Sequence, residues 1–206
     1  MRSPAESSGP PVIAWDIDDV LNRLTREWLE EFRAEGRTKA SYEDMAENPP
    51  AACLGISKAE FLASLDSFRS RRQAALEPRP ETLAWFKAHG DAFFHIAVSA
   101  VPMRYAPISA AWVAKHYGRW IRSFNFIPSP RPDDDFARHE ANKAEMLARF
   151  AKVDLFIDDI EANLDPAKEA GFKTLVFPAP WNSRRGESEA ALFDDLNRNL
   201  RIGLPK

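Results

Sequence analysis

The sequence predicts an α/β fold, a parallel sheet with helices on both faces, and three observations carry that prediction. From residue 80 onward, strand-like runs alternate with helix-length segments. The runs are short and continuously apolar, the pattern of buried strands. Polar residues end them, and ligands of open parallel sheets bind beyond the carboxyl ends of the strands.

Each element follows from local signals. "PVIAWD" reads as the first strand, and Leu21, Leu24, Trp28 and Phe32 then recur at helical spacing until Gly36 can end the helix. "SYEDMAENPPAACLG" is a Pro-broken loop. Ser57 caps the next helix, and Glu60 completes a capping box. Pro80 and Gly90 bracket a third helix. "AFFHIAVS" is a second strand, "PISAAWVAKHYG" a helix closed by Gly118, and "SFNFIPS" a shorter strand. Asp133, Asp134 and Asp135 read as a solvated loop. "HEANKAEMLARFAK" is helical, "VDLFIDD" a strand, "IEANLDPAKEAG" a helix and "FKTLVFPAP" a final strand before the helix "ESEAALFDDLNRNL".

Residues 1–11, rich in Pro, Ser and Gly, are expected to be a disordered tail. The core domain is then 12–21 plus 80–206, and 22–79 is a mostly helical insertion. Because it emerges where the first strand ends, it can overhang whatever sits there.

A chain of 206 residues suits one domain plus such an insertion. A net charge of −3 gives no pull toward nucleic acid or an anionic membrane. The basic cluster Arg69, Arg71 and Arg72 reads as a solvated helix face. Cys53 is alone, so no intrachain disulfide forms, and the four histidines lack metal-ligand spacing. With no apolar leader and no run of membrane-spanning length, a cytoplasmic protein is expected.

"VIAWDIDDVLN" puts three carboxylates into four positions behind an apolar run. Asp16 and Asp18, at i and i+2 of extended chain, share a face and can point into one site. Ser99 ends the second strand, Asp158 and Asp159 end "LFI", and Lys143 starts the helix before that strand. Carboxylates meeting at one edge repel unless a hard divalent cation, Mg²⁺ above all, sits among them. A cation, a lysine and a hydroxyl around a carboxylate are also what phosphoryl transfer needs. One carboxylate can attack phosphorus, and a second can protonate the leaving oxygen and later activate water.

At this point the chain resembles the haloacid dehalogenase superfamily of phosphohydrolases, whose motifs match in order as "VIAWDIDDV", "HIAVSA", "NKAEML" and "LFIDDIEAN". The resemblance implies a Rossmann-like, haloacid dehalogenase-like core with 22–79 as a small helical cap. It implies Asp16 as nucleophile, Asp18 as general acid/base, and Ser99 and Lys143 as phosphate-binding residues. It places Mg²⁺ on Asp16, the Asp18 backbone carbonyl and Asp158, with Asp159 supporting or sharing that role. Asp19 stands where a Gly is frequent. Within the superfamily the chain is most similar to the 5'(3')-deoxyribonucleotidase group, although "VSAVP" departs from that group's usual Thr-Ser-Pro.

The function expected is therefore a Mg²⁺-dependent phosphomonoester hydrolase acting on a small metabolite, such as a nucleotide. The competing reading is a non-catalytic phosphate- or partner-binding protein on the same fold, which would predict the loss of a motif residue. A receiver domain would carry its phosphoacceptor on a middle strand and no inserted cap. Trp28, Phe32, Phe61, Leu65 and Phe68 read as core, and Arg26, Tyr42 or Arg72 as insertion residues that can face the cleft. Asn163 reads equally as a site or a surface residue, and Trp181-Asn182 as a rim or a packed turn.

Overall fold

The computed structural model describes residues 9–132 and 134–200. Most of the expected tail and the last six residues of the core span thus lie outside the described residues. Five strands of the described residues form one sheet: β1 (Val12–Trp15), β2 (Phe94–Val101), β3 (Ile121–Pro128), β4 (Leu155–Asp158) and β5 (Thr174–Val176). Their order is β3-β2-β1-β4-β5, every pair is parallel, and β1 is central. All five strands read from the sequence are present.

Among the described residues, eight α-helices accompany them: α1 (Leu24–Ala34), α2 (Ala51–Leu54), α3 (Lys58–Arg72), α4 (Pro80–His89), α5 (Ala106–Tyr117), α6 (Lys143–Leu147), α7 (Glu161–Glu169) and α8 (Glu189–Asn199). Strand alternation divides their packing between the two faces of the sheet. Ile13, Trp15, Ala97, Leu155 and Ile157 join one buried cluster with residues of α1, α3, α4, α5 and α8. Ala14, Ile96, Val98 and Phe156 join a second with Ala144 and Leu147 of α6 and Leu164 and Ala167 of α7. Both faces are covered, which is why the strands are apolar throughout. Burying a side chain such as Ile13 contributes roughly 1.5–3 kcal/mol relative to exposure. Among the described residues, no helix is long and apolar enough to cross a membrane.

The 22–79 stretch holds α1, α2, α3 and two short 3₁₀ turns at Tyr42–Asp44 and Gln73–Ala75. Trp28, Phe32, Phe61, Leu65 and Phe68 are all buried in the first cluster, as their spacing predicts. The Ser57–Glu60 capping box is formed on both sides. The loop expected at 41–55 contains α2 and a cis Asn48-Pro49 bond.

Two local readings change. The helix expected over 139–152 is only α6. The Asn142 side chain accepts from the Glu145 backbone N–H at 3.0 Å and so starts the helix at Lys143. The Arg149 and Phe150 N–H groups then bond three residues back, tightening and ending the turn. In the loop after β3, Asp134 is not solvated: its side chain is 9% exposed and accepts from the Arg131 backbone N–H at 2.9 Å. Asp133 lies outside the described residues.

Beneath β1 the packing includes a histidine. His95 is buried, its Nδ1 accepts from the Trp15 indole at 3.0 Å, and its Nε2–H donates to the Gly90 carbonyl at 2.9 Å. Desolvation lowers its pKa to about 4 from 6.5, so the folded state keeps it neutral while the unfolded chain protonates it. The unfolded state therefore binds the extra proton between those values. Stability from this group is present above pH 6.5 and lost as pH falls toward 4, on the order of 3 kcal/mol in all. Urea midpoints for the wild type and His95→Gln should converge as pH drops through that window. A constant difference would show that His95 does not titrate there.

Candidate active site

The site forms where β1, β2 and β4 end. The Asp16 N–H donates to the Ile157 carbonyl at 2.9 Å, continuing the β1–β4 ladder by one residue and aligning the two acidic strand ends. Asp16, Asp158 and Asp159 are buried, and each brings a carboxylate oxygen within 4.8 Å of the others. Lys143, at the start of α6 and equally buried, places its Nζ 2.9 Å from Asp16 Oδ1 and 2.6 Å from Asp158 Oδ2. Ser99, 2% exposed on β2, lines the same cleft.

Burial raises Asp16 to a pKa of about 7, with Asp158 and Asp18 adding to the rise and Lys143 opposing it. Burial also raises Asp159 well above the usual carboxylate range, helped by Asp158, Asp19 and Asp16. Lys143 is raised although burial opposes its charge, because Asp158 and Asp16 both favour the ammonium. One lysine among these carboxylates leaves the site short of positive charge.

The residues present fit a hard divalent cation. The donor set is all carboxylate oxygen, and Asp16 Oδ1, although at ion-pair distance from Lys143, accepts no well-formed hydrogen bond. Asp158 is engaged further, since it accepts from the Ile160 N–H at 2.8 Å and from Asn163 Nδ2 at 3.1 Å to each oxygen. Asp159 Oδ2 accepts from the Trp181 indole at 2.9 Å, and the Asn182 amide donates to the Asp159 carbonyl at 2.8 Å. Trp181 and Asn182 thus hold the acidic pair in place. Asn163 belongs to the site rather than the surface.

Asp18 stands apart from the three-carboxylate cluster. Its Oδ2 accepts from Arg69 at 2.6 Å, and its Oδ1 accepts from Asn22 Nδ2 at 3.1 Å. Any share of Asp18 in holding a metal therefore falls to its backbone carbonyl. Asp19 adopts φ +60°, the left-handed region that favours glycine. That geometry explains why Gly suits the position. Its carboxylate caps the start of α1, accepting from the Thr25 N–H at 2.9 Å and from the Thr25 hydroxyl.

The cleft, of about 230 Å³, is lined by these groups and by Phe61, Leu65 and Arg69 from α3 and Arg131 from the loop after β3. Larger concavities of about 540 and 720 Å³ lie elsewhere, and one of about 750 Å³ adjoins the cleft at Leu62 and Arg131, so the assignment rests on chemistry and not on size. Two sequence readings are corrected here. Arg69 is not solvated: its side chain is 7% exposed and forms a buried ion pair with Asp18. Arg26, Tyr42 and Arg72 do not line the cleft. Arg26 stacks on Tyr42 and pairs with Glu43 at 3.0 Å, and Arg72 lies exposed, 3.8 Å from Glu31. The signal for Arg69 was legible, since Phe61, Leu65 and Arg69 at i, i+4 and i+8 share one helix face.

No family model and no curated protein matches the sequence. Solved structures do match. The protein tyrosine kinase A of Mycobacterium tuberculosis superposes with a TM-score of 0.61 at 16% identity, covering 95% of this chain and 100% of that one. A haloacid dehalogenase-like family hydrolase of Streptococcus pneumoniae gives 0.56 at 13% identity, covering 90% of each chain. Another hydrolase, from Streptococcus pneumoniae TIGR4, gives 0.55 at 13% identity over 94% of this chain and 99% of that one. At such identities the likeness defines the fold: the chain has the haloacid dehalogenase-like α/β architecture. A kinase and hydrolases share it, so the reaction must be argued from the site.

Proposed function

We propose that the protein is a Mg²⁺-dependent phosphomonoester hydrolase working through an aspartyl-phosphate, in the cytoplasm, with 22–79 acting as its cap. The observation that carries this reading is the buried arrangement of Asp16 at the β1 end, Lys143 at 2.9 Å and Asp158 and Asp159 within 4.8 Å. When bound at Asp16, Asp158, Asp159 and the Asp18 carbonyl, Mg²⁺ supplies positive charge against the carboxylates and the phosphoryl group. Lys143 and Ser99 hold phosphoryl oxygens, and Asp16 attacks phosphorus as the ester oxygen leaves. Asp18 gives that oxygen a proton and then takes one from the water that hydrolyses the aspartyl-phosphate.

The non-catalytic alternative has less support, because every motif residue is present and five of the six (Asp16, Asp18, Ser99, Lys143 and Asp159) line one cleft, Asp158 sitting directly behind it on Lys143. Sequence resemblance pointed to a nucleoside monophosphate as substrate. A cleft of about 230 Å³ ranks smaller esters first, since pockets for drug-sized ligands run to roughly 300–1,000 Å³. The partner proposed is thus a small phosphomonoester, with no role for nucleic acid or membrane.

The test is phosphate release from a panel of phosphomonoesters with Mg²⁺. Turnover of at least one ester, abolished by Asp16→Asn, supports the proposal, and no turnover of any ester contradicts it. Asp18→Asn should slow turnover by roughly 10²- to 10⁴-fold, the usual worth of general acid/base help. Esters with poor leaving groups should suffer more than nitrophenyl phosphate, whose leaving group needs no proton. Equal losses on both would remove Asp18 from the acid role.

A further inference from the structure

Three cations line the cleft, and donor accounting separates them. The Lys143 ammonium is shared between Asp16 and Asp158. Every nitrogen of the Arg131 guanidinium has an acceptor: its Nε and Nη2 donate to Asp66 at 2.7 and 3.0 Å, and its Nη1 donates to Ser129 at 3.2 Å. Arg69 differs. Its Nη1 donates to Asp18 at 2.6 Å, but its Nε–H, shielded from water, has no acceptor among the described residues. A buried donor without a partner is an unfavourable arrangement, relieved if the side chain shifts to meet an oxygen entering the cleft that it lines.

Position gives that donor a meaning. Arg69 lines the cleft against Asp18, the carboxyl proposed to protonate the leaving oxygen, and so stands beside the place where that oxygen would depart. The cleft itself is small, so the part of a leaving group seated in it has few atoms, with substituents close to the ester oxygen.

Resting on the proposed phosphomonoesterase reading, we propose that Arg69 is a specificity-determining residue: it binds an acceptor oxygen, carboxylate or hydroxyl, carried near the ester carbon of a small phosphomonoester. The inserted helices then select substrate through this one guanidinium. Arg71 and Arg72, on the same helix, take no part, since both reach out to Glu31.

Ethyl phosphate, 2-hydroxyethyl phosphate and carboxymethyl phosphate form the test set, differing in whether and how they offer that oxygen. The wild type should prefer at least one oxygen-bearing ester over ethyl phosphate by about 10-fold or more in kcat/KM, mainly through KM, and the two arms tell hydroxyl from carboxylate. In Arg69→Gln the preference should fall to within about threefold, and Arg69→Lys should restore part of it, with circular dichroism confirming that each variant is folded. The same ratios should appear in calorimetric binding to Asp16→Asn, with and without the Arg69 substitutions, which needs no turnover. No turnover by the wild type with binding ratios as expected would overturn the phosphatase reading and keep Arg69's role. A missing wild-type preference, or one that survives both Arg69 substitutions, would overturn the role of Arg69 and leave the phosphatase reading standing.

Discussion

Asp16→Asn is expected to lower phosphomonoester turnover by roughly 10⁴-fold or more, because an amide cannot act as the carboxylate nucleophile and residues acting as a unit lose nearly everything when one is removed. The same change should leave the fold intact and, without metal, at least as stable. Burial and the neighbouring Asp158 and Asp18 disfavour the Asp16 charge, which lifts its pKa to about 7, so a neutral isostere removes repulsion from the apo site. Lys143 retains its 2.6 Å partner in Asp158. Steady-state kinetics and thermal melts in chelator check both halves. An inactive variant that is also strongly destabilised would make Asp16 a structural residue. A variant with near-normal turnover would move the nucleophile elsewhere.

Removing divalent metal is expected to have an effect of similar size. In excess chelator, turnover should fall to background, and Mg²⁺ should restore it and raise the melting temperature, since a ligand of the folded state stabilises by mass action. The pH dependence of the apo protein follows from the same carboxylates. Asp16 has a folded pKa raised to about 7 from 3.8, so the folded state binds more protons between those values and this contribution to stability falls as pH rises through them. Stabilisation by Mg²⁺ should therefore be larger at pH 7.5 than at pH 5, where protons compete for the same oxygens. Ca²⁺ should bind yet support little turnover, its looser coordination being less suited to in-line geometry. Full activity in chelator would remove the cation from the account.

Much of this was legible in the sequence because the signals are local. Five apolar runs became five strands, and Ser57–Glu60 became a capping box, because each is decided within a few residues. Three of the four motifs were readable because their polar residues lie at or near a strand end, Ser99 two residues before the end of β2 rather than at it, and sheet order brings those ends together; Lys143 instead starts α6. What escaped was decided by distance along the chain. Arg69 meets Asp18 across 51 positions, and Arg131 meets Asp66 across 65. Neither contact leaves a periodic trace, although the helix face of Arg69 could have been read. The overlong helix around α6 shows the converse, a helical composition over 139–152 overruled by the single cap at Asn142. Arg26, Tyr42 and Arg72 were candidates by residue type alone, and type does not say which way a helix face turns.

The insertion therefore does more than overhang the site. It contributes a buried cation to the cleft and fixes the carboxylate proposed to handle protons. On the proposed reading, substrate choice and proton transfer meet at Asp18, which accepts from Arg69 at 2.6 Å.

The central claim is that Asp16 carries the phosphoryl group. The most direct measurement is to quench the Asp18→Asn variant in acid during turnover of the best ester, digest it, and locate the phosphoryl adduct by mass spectrometry. The account predicts an adduct on the peptide containing Asp16, stable in acid, cleaved by hydroxylamine and missing when Asp16 is also changed to Asn. A phosphoryl group found on Ser99 or another side chain, or turnover with no trapped adduct under any quench, would contradict it.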